Sequence, residues 1–184
     1  MGKIFYISDL HFGHKNIISY DGRPFFTVSE MDEALIKNWN SVVTNNDIVY
    51  VLGDVSWYNK DEQKKIVKQL NGQKVLILGN HDTYGAYDDG FIAHYDYLEI
   101  NDNGRKVVLS HYPIVSYNGM YRGWCHLYGH VHNTTDDNMV KSYLKQWEEY
   151  YLKPCHAVNV GCMKPWMNYT PRTLDEIIAA KGWK

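Results

Sequence analysis

Apolar residues fall in short runs, and several of the runs end in the same way. KVLILGNHD (74–82) carries Val75, Leu76, Ile77 and Leu78 and then stops at Gly79, Asn80, His81 and Asp82. A continuous run of this length reads as a buried strand. KIFYISDLHFGH closes on Asp9, His11 and His14, and DIVYVLGD closes on Asp54. KVVLSHYP closes on His111, and WCHLYGHVH closes on His130 and His132. Turn chemistry accounts for the Gly and Asn residues, but not for His and Asp gathering at strand ends.

Between these runs the period changes to that of helices. Met31, Leu35, Trp39 and Val42 predict a helix over about 30–43 with Thr27 or Ser29 as N-cap. Ile66, Val67 and Leu70 predict a second helix over 60–70, stopped by Asn71-Gly72. With strands at 3–8, 47–52 and 74–78, this makes two βαβ units and favours parallel strands. After residue 94, YDYLEINDNGRKVVLS predicts a hairpin that turns at Asn103-Gly104. Strands follow at 124–129 and 156–160, with a helical stretch at 138–151 between them. Thr173 and Glu176 form a capping box before a last helix. No linker divides the chain, so 1–184 is expected to be one domain with a helical insertion at about 133–154.

Composition narrows the classes. The 184 residues are 45% hydrophobic and 22% charged, ordinary for a globular domain with a sizeable core. The formal charge of −2 and the lack of a Lys/Arg cluster argue against a grip on long duplex nucleic acid. Three cysteines without a C-x-x-C predict reduced, buried thiols and a cytoplasmic setting. No run approaches a membrane span, so no membrane partner is expected. Arg23, in YDGRPFF, and Arg122, in NGMYRGW, are the arginines considered for substrate oxygens; a solvated loop position is the plainer reading of each. His14 opens a short helix, where it would either touch phosphate or cap the helix. His126, His94 and His156 read as packed or strand-flanking residues, and the oligomeric state is open.

In open α/β sheets, functional groups collect beyond the carboxyl ends of the strands. That rule would bring Asp9, His11, Asp54, Asn80, His111, His130 and His132 into one crevice. The set has mixed N and O donors, no thiolate, and too many groups for one tetrahedral zinc. Two divalent ions sharing Asp54 fit better, with Mn²⁺ the leading expectation and Zn²⁺, Fe²⁺/³⁺, Ni²⁺ or Co²⁺ as alternatives. Such a pair would acidify a bridging water and hold phosphoryl oxygens. Asn80 would bind metal, and His81, next in the chain, would face the substrate as proton donor.

The ordered set DLHFGH, Gly53-Asp54, GNHD, Ser110-His111 and GHVH resembles the calcineurin-like metallophosphoesterases over residues 9–132. The resemblance implies an α/β four-layer sandwich with two central mixed β-sheets flanked by helices. It implies Asp9, His11, Asp54 and His132 on one metal and Asp54, Asn80, His111 and His130 on the other, with His81 contacting phosphate. It is similar above all to small single-domain bacterial or phage members. Protein phosphatases of that family carry GD-x-x-DR where this chain has GDVSWYN. His81 is thereby left without its usual carboxylate partner, and the sequence does not fix where the adjacent Asp82 points.

The expectation is a dinuclear metal-dependent hydrolase of small phosphodiesters or phosphomonoesters, acting through a metal-bridging hydroxide. His81, Asn80, His14 and Arg23 are the substrate-binding candidates. The alternatives are a nuclease or cyclic-nucleotide phosphodiesterase on short nucleic acid, and a non-catalytic metal-binding scaffold.

Overall fold

The structure is a computed structural model that describes residues 2–82 and 89–183. Two mixed sheets form its centre. The first has the order β4-β3-β2-β1-β9 and the second β5-β6-β7-β8. β1 (Ile4–Ile7), β2 (Ile48–Val51), β3 (Gln73–Ile77) and β4 (Ala93–Tyr95) are parallel, and β9 (Arg172–Thr173) joins β1 antiparallel. In the second sheet the hairpin of β5 (Tyr97–Asp102) and β6 (Arg105–Ser110) continues in parallel through β7 (Cys125–Tyr128) to β8 (Ala157–Asn159).

The helices form because their apolar positions recur at helical spacing and their ends are capped. α1 (Lys15–Tyr20) is short, and α2 (Val28–Val42) starts where the Thr27 side chain accepts from Glu30 N–H. Met31, Leu35 and Trp39 of α2 are fully buried, each stabilising the packed state by roughly 1.5–3 kcal/mol. The Trp39 indole donates to the Asn71 carbonyl at 2.9 Å and ties α2 to the turn after α3 (Lys60–Val67). α5 (Leu174–Lys181) carries the expected capping box of Thr173 and Glu176.

In the second sheet, alternation sends neighbouring side chains to opposite faces. Val107 and Leu109 join the main core between the sheets. Val108 and Tyr128 face a separate cluster, covered by Trp147 of α4 (Thr135–Tyr151). The insertion helix therefore packs on the outer face of its own sheet. Among the described residues no helix is long and apolar enough to cross a membrane.

The sheets are stitched together beside the strand ends. Ser8 bridges Gly161 in parallel fashion, donating its N–H to Val160 and accepting from Cys162 N–H. The chain segments after β1 and β2 also run side by side: Asp9 N–H donates to the Gly53 carbonyl, and His11 N–H to that of Asp54. This double seam brings the carboxyl ends of both sheets to one place.

The structure differs from the sequence reading at the short strands. β4 and β9 were not expected, since three and two residues are too few to show a period. The hairpin begins at Tyr97, because Tyr95 belongs to the other sheet.

His126 is packed, as its place on β7 suggested. It is fully buried, its Nε2 accepts from Ile114 N–H, and burial lowers its pKa to about 4. An unfolded chain takes up this proton near pH 6.5 while the folded one resists until about 4, so stability should fall as pH drops through that window. His126→Gln, which keeps an acceptor for Ile114, should flatten the dependence of melting temperature on pH between those values. Thermal denaturation across pH 4–7 measures it; an unaltered slope would show that this ring titrates alike in both states.

Candidate metal centre

Every donor expected at this site stands in a loop that leaves the carboxyl end of a strand. Asp9 and His11 follow β1, Asp54 follows β2, Asn80 follows β3, His111 follows β6, and His130 and His132 follow β7. Turning these side chains inward distorts the backbone. Asp9, His11, Asp54, His130 and His132 all have left-handed φ, between 42° and 68°. They are five of the nine non-glycine residues so described, and each such conformation costs about 1–3 kcal/mol. Asn103, in the hairpin turn, is a commonplace case, but a concentration of five around one pocket points to function.

Two groups of donors converge. One atom each from Asp9, His11, Asp54 and His132 lie within 4.8 Å of one another, and so do atoms of Asp54, His111 and His130. Asp54 is common to both and directs a different oxygen to each. Its Oδ2 is 3.5 Å from His11 Nε2 and its Oδ1 is 3.6 Å from His111 Nε2. His11 Nε2 and His132 Nε2 approach to 3.2 Å. Asn80 Oδ1 is 3.1 Å from His111 Nε2, which places this amide beside the second group.

These residues fit divalent cations on their own geometry. Asp9 Oδ2 is buried without a hydrogen-bond partner, a costly state for a carboxylate oxygen unless a cation meets it. Burial, reinforced by the charge of Asp54, holds the Asp9 carboxyl above its ordinary pKa despite the opposing pull of His132 and His111. Burial likewise lowers the pKa values of His11 and His130, so both imidazoles are neutral and keep lone pairs to donate.

Glycines allow this crowding. A Cβ on Gly79 would lie 2.4 Å from Asp54 Oδ1, and one on Gly129 would lie 2.7 Å from Asp9 Oδ2. Gly79 has an ordinary φ, so what forbids a side chain there is Asp54, both its carboxylate and its backbone N at 2.6 Å.

Asp82 has a different role from partnering His81. Its carboxylate accepts from the backbone N–H groups of Asp54, Val55 and Gly79 at 2.8, 3.0 and 2.8 Å. It clamps the segment after β2 to the segment after β3, and so fixes Asp54. His81 N–H donates to Asp54 Oδ1 at 3.1 Å, while its side chain is exposed at the opening. The His81 ring lies 4.4 Å from that of Trp57, centre to centre.

Arg23 requires a correction. The substrate-contact expectation fails because its side chain is fully buried and its donors are spent on the Asp9 and Leu10 carbonyls and on Asp21. Arg122 lies over the Trp124 ring at 5.2 Å and donates to Asn118, so it too is engaged elsewhere. His14 does line the opening. Its ring stacks on Trp57 at 4.1 Å, and it makes no side-chain cap to α1.

Sequence reasoning missed four residues. Trp57 walls the cleft beside His14 and His81. Tyr112 packs edge-on against His130 at 4.4 Å. Asp21 bonds the His132 ring, and buried Lys164 donates to the carbonyl of His132, to Asn133 and to Asp137. Proximity to GD in GDVSWYN could have flagged Trp57; nothing local to the motifs marks Asp21 or Lys164.

A two-sheet α/β frame with such a donor set at its strand ends defines the metallophosphoesterase class of folds. The family model described as calcineurin-like phosphoesterase matches residues 2–173, and the chain belongs to that family. It is 39% identical over 183 residues to an uncharacterised protein, MJ1445, of Methanocaldococcus jannaschii, covering 97% of this chain and 90% of that one. The gene 66 protein of Mycobacterium phage L5 is 39% identical over 85 residues, 45% of this chain and 41% of the phage protein. Among solved structures, AQ665 of Aquifex aeolicus, a protein of unknown function, superposes with a TM-score of 0.74 at 27% identity, covering 98% of this chain and all of that one.

Gly79→Ala should displace Asp54, carboxylate and backbone together, and weaken metal uptake by roughly tenfold or more while the chain stays folded. Calorimetric titration with Mn²⁺ beside a thermal melt checks it; unchanged uptake would show that Asp54 need not hold its present position.

Proposed function

We propose that this chain is a metal-dependent phosphoric ester hydrolase whose two donor groups hold a pair of divalent cations, with Mn²⁺ the leading candidate. The observation that carries the reading is the placement of Asp54, which turns one oxygen to each group. Bound there, such ions supply Lewis acidity toward phosphoryl oxygens and bring the pKa of water from about 15.7 toward neutrality.

The chain's own residues supply position and a proton. Asn80 and His111 together present an amide oxygen and an imidazole nitrogen at one side of the pocket. His81 stands at the opening with its backbone anchored to Asp54, where its ring can hydrogen-bond a phosphoryl oxygen or protonate the leaving oxygen. With Asp82 committed to backbone, the contact to the His81 ring comes from Trp57 rather than a carboxylate. His14, Tyr20 and Trp57 form an aromatic wall to a cleft of about 750 Å³. That volume admits a small phosphodiester or an activated monoester.

A narrower reading concerns the ester's organic group. Half-exposed Trp57 and Tyr112 flank the donors, and planar rings favour planar partners. Short nucleic-acid ends and cyclic nucleotides are thus compatible with the same chemistry, whereas the charge of −2 offers little hold on a long duplex.

Stripping the protein with a chelator should abolish hydrolysis of bis-p-nitrophenyl phosphate and p-nitrophenyl phosphate, and Mn²⁺ should restore it. Asp54→Asn should lose all turnover. His81→Ala should keep its metal while kcat falls on the order of 10²-fold or more. Turnover that survives in Asp54→Asn or after stripping would refute the reading.

A further inference from the structure

We propose that the turn at 20–24 is a strut for the metal centre, in which Asp21 is a positioning residue that aims the His132 imidazole and Arg23 locks Asp21. The proposal rests on the metal reading above. Its chemistry is visible in three linked contacts. His132 Nδ1 lies 2.8 Å from Asp21 Oδ1. The opposite nitrogen, Nε2, lies 3.7 Å from Asp9 Oδ1 and 3.2 Å from His11 Nε2. A proton on Nδ1, held by the carboxylate, leaves the Nε2 lone pair facing the donor group.

Arg23 completes the strut. Its Nε and Nη2 both lie 3.0 Å from Asp21 Oδ2, so the guanidinium pins that oxygen while Oδ1 is left to His132. The same group donates from Nη2 to the Asp9 carbonyl at 2.9 Å and from Nη1 to the Leu10 carbonyl at 2.8 Å. One buried cation therefore sets the backbone that carries Asp9 and the carboxylate that turns His132. Both belong to the same donor group, and neither belongs to the group of Asp54, His111 and His130. The Asp21 side chain is 3% exposed, so this pairing is not a surface accident.

The geometry makes the strut selective. Loss of Asp21 should loosen one cation and spare the other. In calorimetric titration of metal-stripped protein with Mn²⁺, Asp21→Asn and Asp21→Ala should bind one of two ions roughly 10–100-fold more weakly. The second ion should stay within about twofold of the wild-type value. In the metal-free protein, at a pH high enough to leave the ring neutral, nitrogen-15 spectra of the histidine rings should show His132 protonated at Nδ1 in the wild type and shifted toward the other tautomer in Asp21→Ala. Wild-type affinities for both ions together with an unshifted tautomer in Asp21→Ala would overturn the strut. If the wild type takes up no Mn²⁺, the metal reading falls, and the tautomer alone decides: a shift upholds the strut and its absence overturns it.

Discussion

Asp9 and Asp54 bring two buried carboxylates to the seam between the sheets, and one oxygen of Asp9 has no hydrogen-bond partner. Each charge left in such a place costs several kcal/mol unless something opposes it. The neutral imidazoles of His11 and His130 cannot supply that opposition. They supply lone pairs, and lone pairs beside carboxylates are what a divalent cation binds. The surrounding structure can be understood as the means of holding these groups together before a cation arrives.

Holding them draws on several parts of the fold. The left-handed backbone at five donor positions stores conformational strain, which persists only where neighbouring bonds over-determine it. Asp82 provides three of those bonds, at Asp54, Val55 and Gly79. Buried Arg23 provides two at Asp9 and Leu10, and buried Lys164 secures the carbonyl of His132. The parallel strands contribute direction, because their carboxyl ends deliver successive loops to one edge. The close approach of Gly79 to Asp54 and of Gly129 to Asp9 then sets how tightly the loops can meet.

Much of this was legible in the chain. The apolar runs located β1, β2 and β3, the capping box of Thr173 and Glu176 marked α5, and the placement of His and Asp after strands located the pocket. Each is a local signal spanning fewer than a dozen residues. What was not legible was tertiary. Asp82 could be seen beside His81, but which backbone N–H groups it would bind depends on the segment after β2. Arg23 carried the charge expected of a phosphate contact, yet its burial beneath Asp9 follows from how α1 and its turn pack. β4 and β9 are strands by virtue of their neighbours rather than of their own pattern. Trp57 reaches the opening because Phe12 and Ser56 are bridged, a pairing no spacing announces.

We propose that the fold keeps two cation positions joined through the oxygens of one aspartate. Anomalous diffraction from a manganese-loaded crystal, paired with elemental analysis, tests it most directly. The account predicts two peaks per chain on either side of Asp54, one beside His11 and His132 and one beside Asn80, His111 and His130. A single peak, or none at full manganese supply, would contradict it.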